Sequence, residues 1–158
     1  MSRSTAVAVL AGLLLASCTI STVSSSSEPP VRRSVASLTS TVPSLNAFRS
    51  QNGLNTLSQS PRLQAVAEAQ AQHIKNTGEL SHRGPRGGNI GDRAKQQGYG
   101  YCTVAENLAM GEMTRSQVIT SWSESPRHRE NMLKRQVREY GLAALDNRYW
   151  VLVVGRNC

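Results

Sequence analysis

The apolar positions change their period along the chain. Ala6 to Ala16 form one dense run of 11 residues (AVAVLAGLLLA). Residues 19–41 then show no sustained period and contain 12 Ser or Thr among 23 positions. Beyond residue 42 the patterning becomes helical. Leu45 and Phe48 follow Pro43 and stop at Gly53. A longer helix opens with Ser60 as cap and Pro61 in its first turn. Its stripe is Leu63, Ala67, Ala71 and Ile74, and Gly78 ends it. Alanines at 65, 67, 69 and 71 leave it thin enough to lie close against a sheet.

A glycine-rich loop, Arg83 to Gly91, leads to a short helix over Asp92 to Gln97 that Gly98 closes. Thr114-Arg115-Ser116-Gln117 has the spacing of a capping box, with Val118, Ile119 and Trp122 inside the helix it starts. Ser125-Pro126 restarts a helix through Met132 and Leu133. The period then falls to that of strands, Gly141 to Leu145 and Tyr149 to Val154, joined by Asp146-Asn147-Arg148 as an antiparallel hairpin. Helices first and a hairpin last predict an α+β domain with helices on a small, mostly antiparallel sheet.

The chain has 158 residues, room for one domain and a tail. The apolar run is too short for a permanent span, which takes about 20 residues, and with Arg3 before it residues 1–17 read as an export signal. Leu15-Ala16-Ser17-Cys18 resembles the bacterial lipobox, which implies that Cys18 is acylated and becomes the N-terminus of the mature chain. Two or more acyl chains hold a protein on a membrane where one does not. Residues 18–41 then read as the acylated cysteine and a Ser/Thr-rich disordered tether, and 42–158 as the folded domain. Thr19, where an aspartate would mark inner-membrane retention, favours the outer membrane.

The net charge is +8, from 15 Arg, 3 Lys and 10 acidic residues. On a chain bound for the cell envelope, that charge points to phospholipid headgroups or other envelope anions rather than to nucleic acid. The three cysteines divide as one plus two. With Cys18 taken by lipid, Cys102 and Cys158 remain in an oxidising compartment and are expected to pair.

Three histidines are present, His73, His82 and His128. His73 reads as a half-exposed helix residue. His82 leaves the long helix for the glycine-rich loop, a placement that suits a cleft. His128 sits in the first turn of a short helix, where neutral imidazole is favoured. The two either share a divalent metal or serve structure alone, and their spacing does not decide. Glu106 lies between apolar Val104-Ala105 and Leu108, so its carboxylate needs a partner; it reads equally as a structural group and as an acid–base group.

These residues fall within a series of short motifs: Gly78-Glu79-Leu80-Ser81-His82, Asp92-Arg93 with Gly98-Tyr99, Ala105-Glu106-Asn107-Leu108-Ala109, Trp122, Ser125-Pro126-Arg127-His128-Arg129-Glu130-Asn131-Met132-Leu133, Tyr140-Gly141-Leu142 and Tyr149-Trp150. In that order they resemble the CAP superfamily of cysteine-rich secretory, antigen 5 and pathogenesis-related proteins, the SCP domain, in its bacterial branch. The resemblance covers about residues 42–158. It implies an α-β-α sandwich whose cleft is lined by two histidines and two glutamates and can hold a divalent metal such as zinc or magnesium. His82, Glu106 and His128 map onto three of those positions, with His82 and His128 as the metal ligands. The second glutamate departs from the animal and plant pattern: its place, three after Trp122, is Ser125. Glu124, about 100° away from that place around a helix, is carried over as the fourth cleft residue.

No nucleophile elbow is present. The expectation is therefore a membrane-anchored envelope lipoprotein, a non-catalytic module whose cleft binds a lipid-like or peptide ligand. The alternative is a metal- or His/Glu-dependent hydrolase acting on envelope material. A third is a cell-wall adhesin held by Arg-rich electrostatics.

Overall fold

The computed structural model describes residues 44–158; the export signal, Cys18 and the tether lie outside the described residues. Among the described residues, five α-helices and four strands follow in the order α1 (Leu45–Gln51), β1 (Ser58–Gln59), α2 (Pro61–Thr77), α3 (Ile90–Gln96), β2 (Tyr101–Met110), α4 (Arg115–Glu124), α5 (Pro126–Met132), β3 (Glu139–Leu145) and β4 (Tyr149–Asn157). The sheet order is β1-β3-β4-β2. β4 pairs antiparallel with both β3 and β2, and β1 adds two residues in parallel to β3. None of the described helices is long and apolar enough to cross a membrane.

β4 shows why this is a three-layer sandwich. Trp150, Leu152 and Val154 bury into one cluster with Phe48, Val118, Ile119, Trp122 and Met132 from α1, α4 and α5. Val151 and Val153 bury into a second with Leu63, Val66, Ala67, Ala71 and Ile74 of α2 and Ala94 of α3. A strand covered on both faces is apolar without alternation, as Trp150-Val151-Leu152-Val153-Val154 is. α2 comes close to the sheet because Gly141 of β3 has no side chain: a Cβ there would run into the Leu63–Gln64 backbone. The hairpin connection Asp146-Asn147-Arg148 turns where the Arg148 N–H donates to the Leu145 carbonyl at 3.0 Å, with Asp146 and Asn147 at positive φ, 54° and 51°, a region those two residue types tolerate.

The caps account for most boundaries. Ser60 accepts from the Leu63 N–H, Gly78 closes α2 in the left-handed conformation, and Thr114 with Gln117 forms the expected capping box. α3 starts two residues before the Asp92 start expected from its sequence, because Asn89 caps it and Asp92 answers from the third position. The ten-residue β2 has no counterpart among the elements expected from the sequence: Glu106-Asn107 interrupts its apolar pattern at the centre. Cys102, at the start of β2, is disulfide-bonded to Cys158, just beyond β4, with Cα atoms 4.9 Å apart.

Candidate functional site

β2 is an edge strand, and the side chains at its centre go to opposite faces. Glu106 turns toward α3. There Arg93 Nη1 donates to Oε2 at 2.7 Å and Nη2 to Oε1 at 3.1 Å, a two-point fork. Both side chains are buried, Glu106 at 1% exposure and Arg93 at 5%. His82 Nδ1 meets Glu106 Oε1 at 2.9 Å, and because a carboxylate only accepts, Nδ1 carries the proton. The His82 side chain remains 65% exposed, and its Nε2 makes no hydrogen bond among the described residues.

Two contacts hold the His82 backbone. Arg93 Nη2 also donates to the His82 carbonyl at 3.1 Å. Gln70, a fully buried polar residue on the apolar stripe of α2, donates to the carbonyls of Ser81 and Arg83 on either side. A rigid helix thus clamps the loop that presents the imidazole.

Asn107 turns to the other face and is also fully buried. Its Nδ2 donates to the His128 carbonyl at 2.9 Å, and its Oδ1 accepts from Asn131 Nδ2 at 2.9 Å. Asn131 also donates to the Glu106 carbonyl. α5 is therefore stitched to β2 by two asparagines, and His128 is set beside Trp122, with ring centroids 6.4 Å apart.

His82, Glu106 and His128 line one cleft of about 660 Å³. Asn89, Asn131, Arg127 and Lys134 supply further polar groups, and Ile90, Val104 and Ala105 an apolar strip. Glu124 does not line it; that residue is exposed at the end of α4, and the next one, Ser125, reaches the cleft instead. The helical rotation of about 100° per residue is the reason. His73 is half-buried on α2 and takes no part.

The two imidazoles are tuned apart. The Glu106 hydrogen bond raises the His82 pKa above its ordinary 6.5, against some opposing desolvation. Burial first, and the His82 charge second, push His128 below 6.5. Near neutral pH the His82 ring is the readier of the two to hold a proton, and His128 the readier to stay neutral.

The donor set offers a zinc ion fewer protein ligands than its sites use. Among the described residues, no three His, Cys, Asp or Glu side chains gather as a metal-ligating group. Glu106 has both oxygens committed to Arg93 and His82, which leaves two imidazoles where zinc sites use three or four protein ligands.

Arg93, Asn107, Asn131 and Gln70 have no role in the expectations drawn from the sequence. Arg93 and Gln70 do carry a signal there: each is a polar residue on the buried stripe of its helix, where an isolated polar group must find a partner.

The fold and cleft define the class. Residues 44–155 match the model of the cysteine-rich secretory protein family, CAP, and the chain belongs to that family. It is 31% identical over 102 residues to the uncharacterized protein YkwD of Bacillus subtilis, covering 65% of this chain and 40% of that one. An extracellular protein of Bacillus anthracis containing an SCP domain superimposes with a TM-score of 0.68 at 26% identity, over 72% of this chain and 38% of that one. An outer surface protein of Borrelia burgdorferi shares the fold, with a TM-score of 0.67 at 23% identity, over 72% of this chain and 87% of that one. The chain thus spans well under half of the two Bacillus proteins.

Proposed function

We propose that the protein works in the cell envelope, held on a membrane through acylated Cys18, as a CAP module whose cleft binds a lipid-like or peptide ligand without transforming it. One observation supports binding over catalysis: both Glu106 oxygens are already committed, and among the described residues neither imidazole is hydrogen-bonded to a nucleophile. Ser125 lies in the cleft without a side-chain hydrogen bond among the described residues. The arrangement suits a ligand with acceptor groups for Arg127 and Lys134, a donor for the free Nε2 of His82, and a short apolar stretch against Ile90 and Val104. The extracellular and outer-surface designations of the Bacillus anthracis and Borrelia proteins agree with an envelope location.

The test is a panel of envelope lipids and peptides against the full chain and a His82→Ala/His128→Ala variant. Selective recovery by the parent protein, lost in the variant, is expected. Recovery no better than that of a charge-matched control overturns the reading. Substituting Cys18→Ser should release the chain from the membrane fraction; an unchanged distribution would remove the anchor from the proposal.

The Glu106–His82 bond favours one alternative, a His/Glu-dependent hydrolase of envelope material. A carboxylate that fixes Nδ1–H and leaves Nε2 bare is the orienting half of a general-base pair. Turnover of envelope material that His82→Ala abolishes would establish it.

A further inference from the structure

Away from the cleft, a second pocket of about 140 Å³ is lined by Arg49, Gly53, Leu54, Asn55, Arg135 and Arg138. Three of the six residues are arginines and none is acidic. None of the three takes part in an ion pair among the described residues. Arg49 is the unusual member. It is 1% exposed, on α1, with no carboxylate beside it among the described residues. Nε donates to the Asn55 carbonyl at 2.9 Å, and Nη1 to the Met132 and Lys134 carbonyls at 2.7 and 3.1 Å. Nη2 has no partner among the described residues.

A buried charge ordinarily has a counter-charge, because carbonyl dipoles offset only part of its desolvation. Burial, and then the neighbouring Arg138 charge, lower the Arg49 pKa from its ordinary value. Arg138 is anchored through Nη1 to the carbonyls of Arg135 and Val137, which leaves its other nitrogens for a ligand.

We propose that this pocket is a binding site for a phosphate group, with Arg49 Nη2, Arg135 and Arg138 as its donors. The pocket, about 140 Å³, has room for a group of the size of a phosphate. The charge agrees as well, since a phosphomonoester carries about −1.5 to −2 at pH 7, which offsets most of three guanidinium charges, whereas a carboxylate offsets one. Planar guanidinium forks from separate segments match the oxygens of a tetrahedral anion.

The experiment is calorimetric titration of the full chain with inorganic phosphate, chloride being exchanged to hold ionic strength constant. Arg135→Gln and Arg138→Gln are the working variants because both residues are exposed; Arg49→Met is avoided because it opens a buried network. Saturable binding, weakened about tenfold or more by each variant and unchanged in His82→Ala/His128→Ala, is the expected result. Parallel arms with glycerol phosphate and with phosphatidylglycerol vesicles identify the carrier: retention on vesicles that the Arg135→Gln/Arg138→Gln double variant loses assigns a lipid headgroup, and binding of the soluble phosphates alone assigns a small-molecule or polymer source. Absence of phosphate binding beyond the chloride control, or equal binding by the double variant, overturns the proposal.

Discussion

Replacing Glu106 with glutamine keeps the size of the side chain and removes its charge. The consequence follows from three bonds and two burial values. Arg93 at 5% exposure loses the anion paired with it, and two ionic bonds of 2.7 and 3.1 Å become at best one bond to a neutral amide oxygen. Removing one partner of a buried ion pair costs about 3–5 kcal/mol, most of it the penalty on the charge left behind. For a domain of this size about 4 °C of melting temperature accompanies each kcal/mol, so a loss of roughly 12–20 °C is expected. Substituting both residues, Arg93→Met with Glu106→Gln, removes the orphan charge and should return at least half of that loss. Thermal unfolding followed by circular dichroism measures both variants. A Glu106→Gln protein melting within about 3 °C of the parent, or a double variant no better than the single one, would refute the view that Arg93–Glu106 holds this edge of the cleft.

Three further outcomes are expected. In an NMR pH titration His82 should titrate above 6.5 and His128 below it, an order whose reversal would contradict the geometry. The signs for stability oppose each other: the His82 contribution is full below 6.5 and disappears as pH rises through its folded value, whereas His128 destabilises as pH falls from 6.5 through its lowered one. Removing the disulfide by Cys102→Ala/Cys158→Ala opens a loop of 56 positions and should cost about 4 kcal/mol in denaturant unfolding; a loss under about 1 kcal/mol would show that the sheet register alone fixes these ends. Gly141→Ala should cost about 1–3 kcal/mol by driving the α2 backbone off the sheet, and an unchanged melting curve would show that α2 can retreat freely.

What could be read in the sequence was local. The Ser60-Pro61 start and Gly78 stop of α2, the Thr114 capping box and the β3–β4 hairpin each depend on residues within a turn of one another. β2 could not be read that way, since Glu106 and Asn107 break its pattern and are satisfied by α3, α5 and the His82 loop. Parallel pairing of the two-residue β1 with β3, more than 75 positions on, leaves no periodic trace. In the cleft, His82, Glu106 and His128 were legible through the family motifs. The fork that positions Glu106 was not, because a lone arginine in a short helix names no partner, and Glu124 misled because one residue on a helix changes the direction it faces.

The placement of β4 has a consequence for timing. Synthesised or threaded from its N-terminus, the chain produces β2 about 40 residues before the strand that becomes its neighbour. Until Tyr149–Asn157 arrives, β2 is an unpaired edge, β3 has only its short contact with β1, and Cys102 waits for Cys158. The pairing of these distant segments raises the contact order, which across small domains goes with slower folding. The same delay leaves β2 open to pairing with other chains, and the polar Glu106-Asn107 at its centre is the interruption that discourages it.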